Sequence, residues 1–320
     1  MKIAYDIHDE LKKLHHHVLM STEEGRVAYN YFKNRGISDE VIRRFDLGVS
    51  LRDSNVMINL LNHKGYSIPT CIDRGVVKVS NNGNFYDPFY NRAMFPIHDF
   101  SGRVCGFGGR TLDKDNKIKY LNSSESKIYK KQDNLYGFHQ AKEAIENEGY
   151  VVLVEGYFDV LQAHNHGVKN IVASLGTALT AEQALLIKSV TSNVIVLLDN
   201  DEAGINASVR SASILEEVGV TALAGNIQNA EDPDEYFKKY QDKERFVNEV
   251  VKTAVNRKEF YIQSKLKSID PNNSNQRFTM LNELLSELPV QSQERLEWLN
   301  IMNEHLHMPN QVIHSYVQAN

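Results

Sequence analysis

Five carboxylates, Glu155, Asp199, Asp201, Asp232 and Asp234, fall in three short clusters, each just after an apolar run. Tyr150–Val154 leads into Glu155-Gly156-Tyr157-Phe158-Asp159, and Asn193–Leu198 leads into Asp199-Asn200-Asp201. The weaker run Val220–Ala224 precedes Glu231-Asp232-Pro233-Asp234-Glu235. In extended backbone, residues i and i+2 point to one side, so Asp199 and Asp201 form a pair. Proline biases Asp232 towards extended backbone and repeats the arrangement. Paired carboxylates repel unless a proton or cation intervenes. With no Cys or His in the clusters, an oxygen-only set suits a hard divalent ion, Mg²⁺ or Mn²⁺. Such ions lower the pKa of an attacking hydroxyl and stabilise charge on a leaving group, which is the work of phosphoryl chemistry. Glu155 alone could equally be a helix cap. No Ser-His-Asp or Cys-His arrangement and no Gly-x-x-x-x-Gly-Lys loop competes.

These acids need a parallel sheet behind them. Short β-branched runs read as buried strands. The segments between them read as helices near Phe158–His166, Ala181–Ser189 and Ala203–Val218. Strand and helix alternating at this spacing mean βαβ units, whose ligands lie beyond the carboxyl ends of the strands. Asn170–Ala173 is a further strand. Ser174–Leu179 after it either shapes the site floor or is a plain turn.

Around this centre lie two other regions. Residues 1–48 read as helical, with Leu11, Leu14 and Val18 at helical spacing. His15-His16-His17 cannot face one point and reads as a solvated face. Ser21-Thr22-Glu23-Glu24 predicts a capping box, and Ser38 a second cap. Residues 69–140 read as β-rich: Gly75–Val79, Met94–Ile97 and Val104–Phe107 are strands, with turns at Asn82-Gly83 and Ser101-Gly102. Gly106-Phe107-Gly108-Gly109-Arg110 allows either close backbone approach to a ligand or a sharp bend. A basic stretch follows, with Lys117, Lys119, Lys127, Lys130 and Lys131, suited to a nucleotide or single strand, or simply solvated. Residues 236–320 read as amphipathic helices punctuated by Pro271 and Pro289.

The 320 residues are 42% hydrophobic and 24% charged, an ordinary globular composition. No apolar run reaches the ~18 residues of a membrane span, and two cysteines exclude a disulfide framework. A cytoplasmic location is expected. The net charge of −5 conceals an asymmetry: 21 Lys+Arg against 16 Asp+Glu up to residue 140, then 15 against 25. A basic half suits a polyanion and an acidic half suits cations.

The spacing Glu155…Asp199-x-Asp201 resembles the TOPRIM domain of primases, topoisomerases and some nucleases. The wider wording is similar to the bacterial DnaG-type DNA primases. It comprises Arg92-x-x-Phe95-Pro96-Ile97, Gly106-Phe107-Gly108-Gly109-Arg110, Lys119-Tyr120-Leu121-Asn122-Ser123, Glu155-Gly156-Tyr157-x-Asp159, Ser174-Leu175-Gly176-Thr177, Asp199-x-Asp201-x-Ala203-Gly204 and Asp232-Pro233-Asp234. The resemblance implies an α/β fold: a central TOPRIM parallel sheet flanked by helices. It divides the chain into a basic α+β unit (1–140), the TOPRIM unit (141–237) and a helical unit (238–320). It implies that Glu155, Asp199 and Asp201 are catalytic and that, with Asp232 and Asp234, they bind Mg²⁺, which Mn²⁺ can replace. Asp159 is then a supporting acid. Arg35, Arg110, Lys119, Tyr120, Asn122 and Lys130 face nucleotide or template, while Arg43 and Arg44 read as solvated.

The implied activity is synthesis of RNA primers on single-stranded DNA from ribonucleoside triphosphates. The family's zinc and replicative-helicase contacts belong to flanking domains, so this stretch is expected to be a monomeric catalytic core without either. Ala230-Glu231, Asn200 and Ser126 depart from the family wording, and the first removes a positive charge beside the acids.

Overall fold

The computed structural model describes residues 1–176, 178–267, 269–270, 273–287 and 293–306. The chain opens with α1 (Lys2–Ser21), α2 (Arg26–Asn34) and α3 (Asp39–Arg44). It continues through β1 (Gly48–Ser50), α4 (Ser54–His63), α5 (Ile68–Asp73) and the hairpin β2 (Lys78–Val79) and β3 (Phe85–Tyr86). Then come β4 (Arg92–His98), β5 (Val104–Thr111) and β6 (Tyr120–Asn122). Strands β1, β4, β5 and β6 form an antiparallel sheet in that order. Helix α1 lies on it through Ala4, Ile7, Leu11, Val18 and Leu19, one stripe at helical spacing.

Several expectations change here. The histidine run is not a solvated face: His15 is buried with neither ring nitrogen partnered, edge-on to Phe107 at 5.5 Å. His16 bonds the Leu47 carbonyl at 2.7 Å. The apolar stripe simply continues through His15, four residues after Leu11. Ser21–Glu24 forms no capping box. α1 runs on through Ser21, and Gly25, with no side-chain cap, precedes α2. Ser38 does cap α3, accepting from the Val41 amide. Helices α4 and α5 went unread, although Asp53 and Ser67 cap them. Only Lys78–Val79 of the strand expected at 75–79 pairs.

The second sheet is the predicted parallel one. After α6 (Phe138–Glu148) come β7 (Val151–Val154), α7 (Tyr157–Asn165), β8 (Ile171–Ala173) and α8 (Ala181–Lys188). Next are β9 (Asn193–Val196), α9 (Glu202–Glu217), β10 (Thr221–Ala224) and α10 (Pro233–Tyr240). The order is β11-β10-β9-β7-β8, parallel except for β11 (Val255–Asn256), an antiparallel edge that periodicity did not suggest. Successive units leave β7 and β9 in opposite directions, so a crevice opens at the carboxyl ends of these neighbours. Helix α7 packs in the core shared with the first sheet, while α6, α8 and α9 cover the other face. Helices α11 (Lys243–Phe246), α12 (Arg257–Leu266), α13 (Ser274–Glu287) and α14 (Gln293–Leu306) complete the described chain. The last three bury Ile262, Leu284, Trp298 and Met302 in their own cluster. Pro271, Pro289 and Thr177 lie outside the described residues. Among the described residues no helix is long and apolar enough to cross a membrane.

The buried histidines give the fold an acid limit. Burial holds His15 at about 4 and His164 at about 3, below the ordinary 6.5. Between these values the unfolded chain binds more protons, so stability is full above pH 6.5 and falls as pH drops towards 4. For His15 alone the loss amounts to as much as about 3 kcal/mol. His15→Leu should therefore flatten the pH dependence of urea unfolding between pH 6.5 and 4. An unchanged slope would show that His15 does not contribute.

Candidate active site

Glu155 follows β7 directly, at the crevice, and Asp199 sits opposite it beyond β9. The Asp199 amide lies 3.4 Å from Glu155 Oε1. Asp201 caps α9, accepting from the Gly204 amide at 2.7 Å. Gly204 is required there, since a Cβ would stand 2.1 Å from the Asp199 carbonyl oxygen. Asp232 caps α10, accepting from the Glu235 amide at 2.7 Å, with Pro233 in the first helical turn. Helix-capping thus fixes two of the acids.

Asp159 is a buried tie between two of the acidic turns. Its Oδ2 accepts from the Gly156 amide at 2.9 Å and its Oδ1 from the Asp234 amide at 3.1 Å. Burial, then the charges of Asp232, Asp199 and Asp234, push its carboxyl up to about 8. Asn200 makes a second tie: its side-chain amide donates to the carbonyls of Ile227, at 2.8 Å, and Ala230, at 3.3 Å. The residue that departs from the family wording therefore joins the Asp199 turn to the loop before Asp232. Of the other departures, Glu231 is exposed, and Ser126 accepts from the Ile128 and Tyr129 amides in a local turn.

Asp234 is nearly enclosed. It pairs with Arg35 and Lys238, while its other oxygen has no partner among the described residues. Arg35 lies 4.1 Å over the Phe158 ring and reaches this point from the end of α2. With Tyr120 and Asn122 it lines a cleft of about 330 Å³ that also holds Glu155, Asp159, Asp199, Asp232 and Asp234. Asn122 accepts from the Tyr157 hydroxyl at 2.5 Å and donates to the Leu175 carbonyl at 3.3 Å. Arg110 stands over the outer face of the arrangement, 5.1 Å from the Tyr120 ring.

The structure thus brings Arg35, Tyr120 and Asn122 to the acids and puts Arg110 at the margin. Lys119 is exposed beside Tyr120, and Lys130 lies near Asp133 at 3.9 Å; neither lines the cleft. The glycine run is neither a bend nor a ligand cradle. It lies within β5, where Gly108 makes room for Tyr157: a Cβ there would meet the hydroxyl oxygen at 2.2 Å. Tyr157 itself, buried between the sheets, is a site residue the sequence pattern does not single out; its one trace is Gly108, which faces it.

A cation suits this centre. Every donor is a carboxylate oxygen, and burial followed by Glu155, Asp232 and Asp201 pushes Asp199 up to about 6. That repulsion is what a bound cation removes. Among the described residues, no three such groups stand close enough to hold a metal with the side chains as placed.

A parallel sheet with acidic turns at its switch point, on the wording of residues 152–237, defines a Toprim-like domain, a divalent-metal-binding class. Residues 15–142 match the family model of the DNA primase catalytic core, N-terminal domain. The chain is 38% identical over 288 residues to DNA primase of Halalkalibacterium halodurans, covering 90% of this chain and 48% of that protein. For the primase of Clostridium acetobutylicum the figures are 41% over 244 residues, 76% and 40%. The chain thus spans about half the length of the curated relatives it matches or less. Among solved structures, the E. coli primase catalytic core aligns with TM-score 0.75 at 31% identity, covering 95% of this chain and 98% of that one. The zinc-binding and RNA polymerase domains of Aquifex aeolicus primase align with TM-score 0.75 at 30% identity, covering 97% and 74%. The chain belongs to the family of bacterial DnaG-type DNA primases and corresponds to its catalytic core.

The role of Asp159 is open to measurement. Asp159→Asn keeps one accepting oxygen and replaces the other by an NH2 that cannot accept from its amide, so it should cost about 1–3 kcal/mol, one orphaned group. Asp159→Ala leaves the Gly156 and Asp234 amides without a partner and should cost about 2–6 kcal/mol at ~1–3 per orphaned group. Equal losses in urea titrations would mean that the two hydrogen bonds do not hold the turns together.

Proposed function

We propose that this core joins ribonucleoside triphosphates into short RNA primers on a single-stranded DNA template. The observation that carries it is the shared cleft. Arg35, Tyr120 and Asn122 from the N-terminal part face Glu155, Asp199 and Asp232 from the Toprim-like part. In the reaction the 3′-hydroxyl of the growing RNA attacks the α-phosphorus of the incoming nucleotide. A P–O bond forms, the α–β bridging bond breaks and pyrophosphate leaves. Glu155 and Asp199, at the crevice, would hold Mg²⁺, or Mn²⁺ in its place, together with Asp201, Asp232 and Asp234. The cation supplies hydroxyl activation and charge neutralisation on the phosphates. Asp159 keeps two of the acidic turns at fixed separation. Tyr120 and Asn122 position the nucleotide, and Arg35 offers its guanidinium to phosphate. Arg110, Lys119 and Lys130 form the basic margin for the template. Relatives support the polyanion: structures of a DnaG catalytic domain bound to single-stranded DNA and of a Mycobacterium tuberculosis RNA polymerase domain with DNA belong to the same fold. We read residues 1–140, 141–237 and 238–320 as working units. We place the core in the cytoplasm as a monomer, with zinc and helicase contacts assigned to other parts of the family's longer proteins.

Asp199→Asn and Asp201→Asn each keep the shape and remove a ligand charge. Labelled-nucleotide incorporation on a DNA template should fall at least about a hundredfold, from the several kcal/mol a catalytic cation supplies. Chelation by EDTA should abolish it, with Mn²⁺ restoring more than Mg²⁺ because it binds such sites more tightly. Folding should survive with slight stabilisation through relief of repulsion. A variant with near-normal synthesis would sink the metal assignment.

Asp232→Asn should raise the nucleotide concentration needed as well as slow the reaction, since Asp232 and Asp234 stand on a third loop beside the triphosphate. Asp201→Asn should abolish turnover at any nucleotide concentration. Saturation curves of the two variants that cannot be told apart would remove this division of labour.

A further inference from the structure

A second cleft, also about 330 Å³, opens on the far side of the same acids, between α9 and the Gly176 turn. Both clefts fall at the lower end of the ~300–1,000 Å³ usual for ligand sites. Glu155 and Asp199 line both. Among the described residues, Asp232 and Asp234 line only the Tyr120 cleft, and Asp201 only the α9 cleft. The acids therefore form a ridge with a nucleotide-sized space on each side.

Chain elongation needs two nucleotides on opposite sides of the reacting centre, and the two clefts differ in chemistry. The Tyr120 cleft has an aromatic ring, Arg35 and the outer carboxylates, which suits a base and a polyanionic triphosphate. The α9 cleft has no aromatic lining among the described residues. Ala203, Gly204 and Ala207 give it a small face, Leu153, Leu179 and Leu198 line it too, and among the described residues its one cation is Arg210. Arg210 makes no ion pair or side-chain hydrogen bond among the described residues, although acids stand in the same cleft. Nine residues of helix separate it from Asp201, about 14 Å of rise. Helical side chains lean towards the N-terminus, which brings the guanidinium back along the cleft. A single cation beside a wall without ring-stacking partners matches one phosphodiester and a base already held by pairing with template.

We propose that the α9 cleft holds the 3′-terminal nucleotide of the growing RNA, with Arg210 gripping its phosphodiester and Ala207 leaving room for the ribose. The assignment rests on the polymerase reading above. It makes Arg210 a substrate-positioning residue on the primer side of the acids.

The test is single-nucleotide extension of an RNA primer annealed to DNA. Arg210→Ala should raise the KM for primed duplex about tenfold, the weight of one charge-assisted phosphate contact, with the KM for nucleotide unchanged. Arg210→Lys should recover part of the loss, and Ala207→Leu, which fills the cleft, should reproduce it. Arg210 is exposed, so its removal spares the core. A readout independent of turnover is photocrosslinking of a primer ending in 4-thiouridine to wild-type protein in EDTA. The crosslink should fall in the peptide holding residues 203–211 and weaken in Arg210→Ala. Crosslinking to the Tyr120 strand, or an effect confined to nucleotide KM, overturns the assignment while leaving polymerase activity standing. Wild-type protein that extends no primer overturns both readings.

Discussion

Like charges held at one sheet edge are the constraint on which this structure turns. Burial, then the charges of Glu155, Asp232 and Asp201, raise the affinity of Asp199 for a proton, to about 6. Left to themselves the turns would spread. Three devices oppose this. Helix-capping bonds hold Asp201 and Asp232 to their own backbones. Asp159 ties the Glu155 turn to the Asp234 turn from beneath, and Asn200 ties the Asp199 turn to the loop before Asp232. All three pair a side chain with backbone groups, which do not titrate; the Asn200 tie is independent of charge, while the other two draw on carboxylate oxygens.

The parallel sheet and its acidic turns were legible because both signals are local: a β-branched run, then carboxylates, repeated. The order of strands was not, and it is the order that makes Glu155 and Asp199 neighbours while their positions in the chain are 44 residues apart. Other misses share one cause, that a residue's partner is distant in sequence. His15 looked solvated beside two other histidines, but the ring that covers it is Phe107. The glycines at 106–109 looked like a ligand loop, but what they admit is Tyr157 and other rings. The pairing of Asp234 with Arg35 spans 199 positions and has no local trace. Caps were read well where the capping residue had one choice, as at Ser38. They were read badly at Ser21, where the helix before it simply continued.

Asp234 occupies an unusual place among the acids. Two cations already lie on one oxygen, while the other oxygen is buried without a partner among the described residues. The pair with Arg35 is half-shielded, with the arginine side chain at 34% and the aspartate at 9% exposure. Arg35 can turn towards an incoming phosphate only by leaving Asp234 to Lys238, which remains on the same helix four residues on. On the function proposed above, nucleotide entry and the charge state of this corner are linked, because the guanidinium offered to phosphate is the one that otherwise neutralises a carboxylate.

Helix α7 makes the two halves one machine. Its first residue, Tyr157, stands two positions after Glu155. It packs on Phe95 and Tyr136, fills the space left by Gly108, and bonds Asn122 through its hydroxyl. Its second, Phe158, carries Arg35 on one face and packs edge-on against Tyr31 and Phe95. Its third, Asp159, fixes two acidic turns. Three consecutive residues therefore set the distance between the cleft-lining side chains of the first sheet and the carboxylates of the second. Reactions that depend on placing a hydroxyl beside a phosphate are sensitive to errors of about an ångström. The large rings at this junction lock in a few rotamers and leave no room to slide. Dense aromatic packing where the two sheets meet, and not at the acids themselves, is what holds the two sides of the cleft in register.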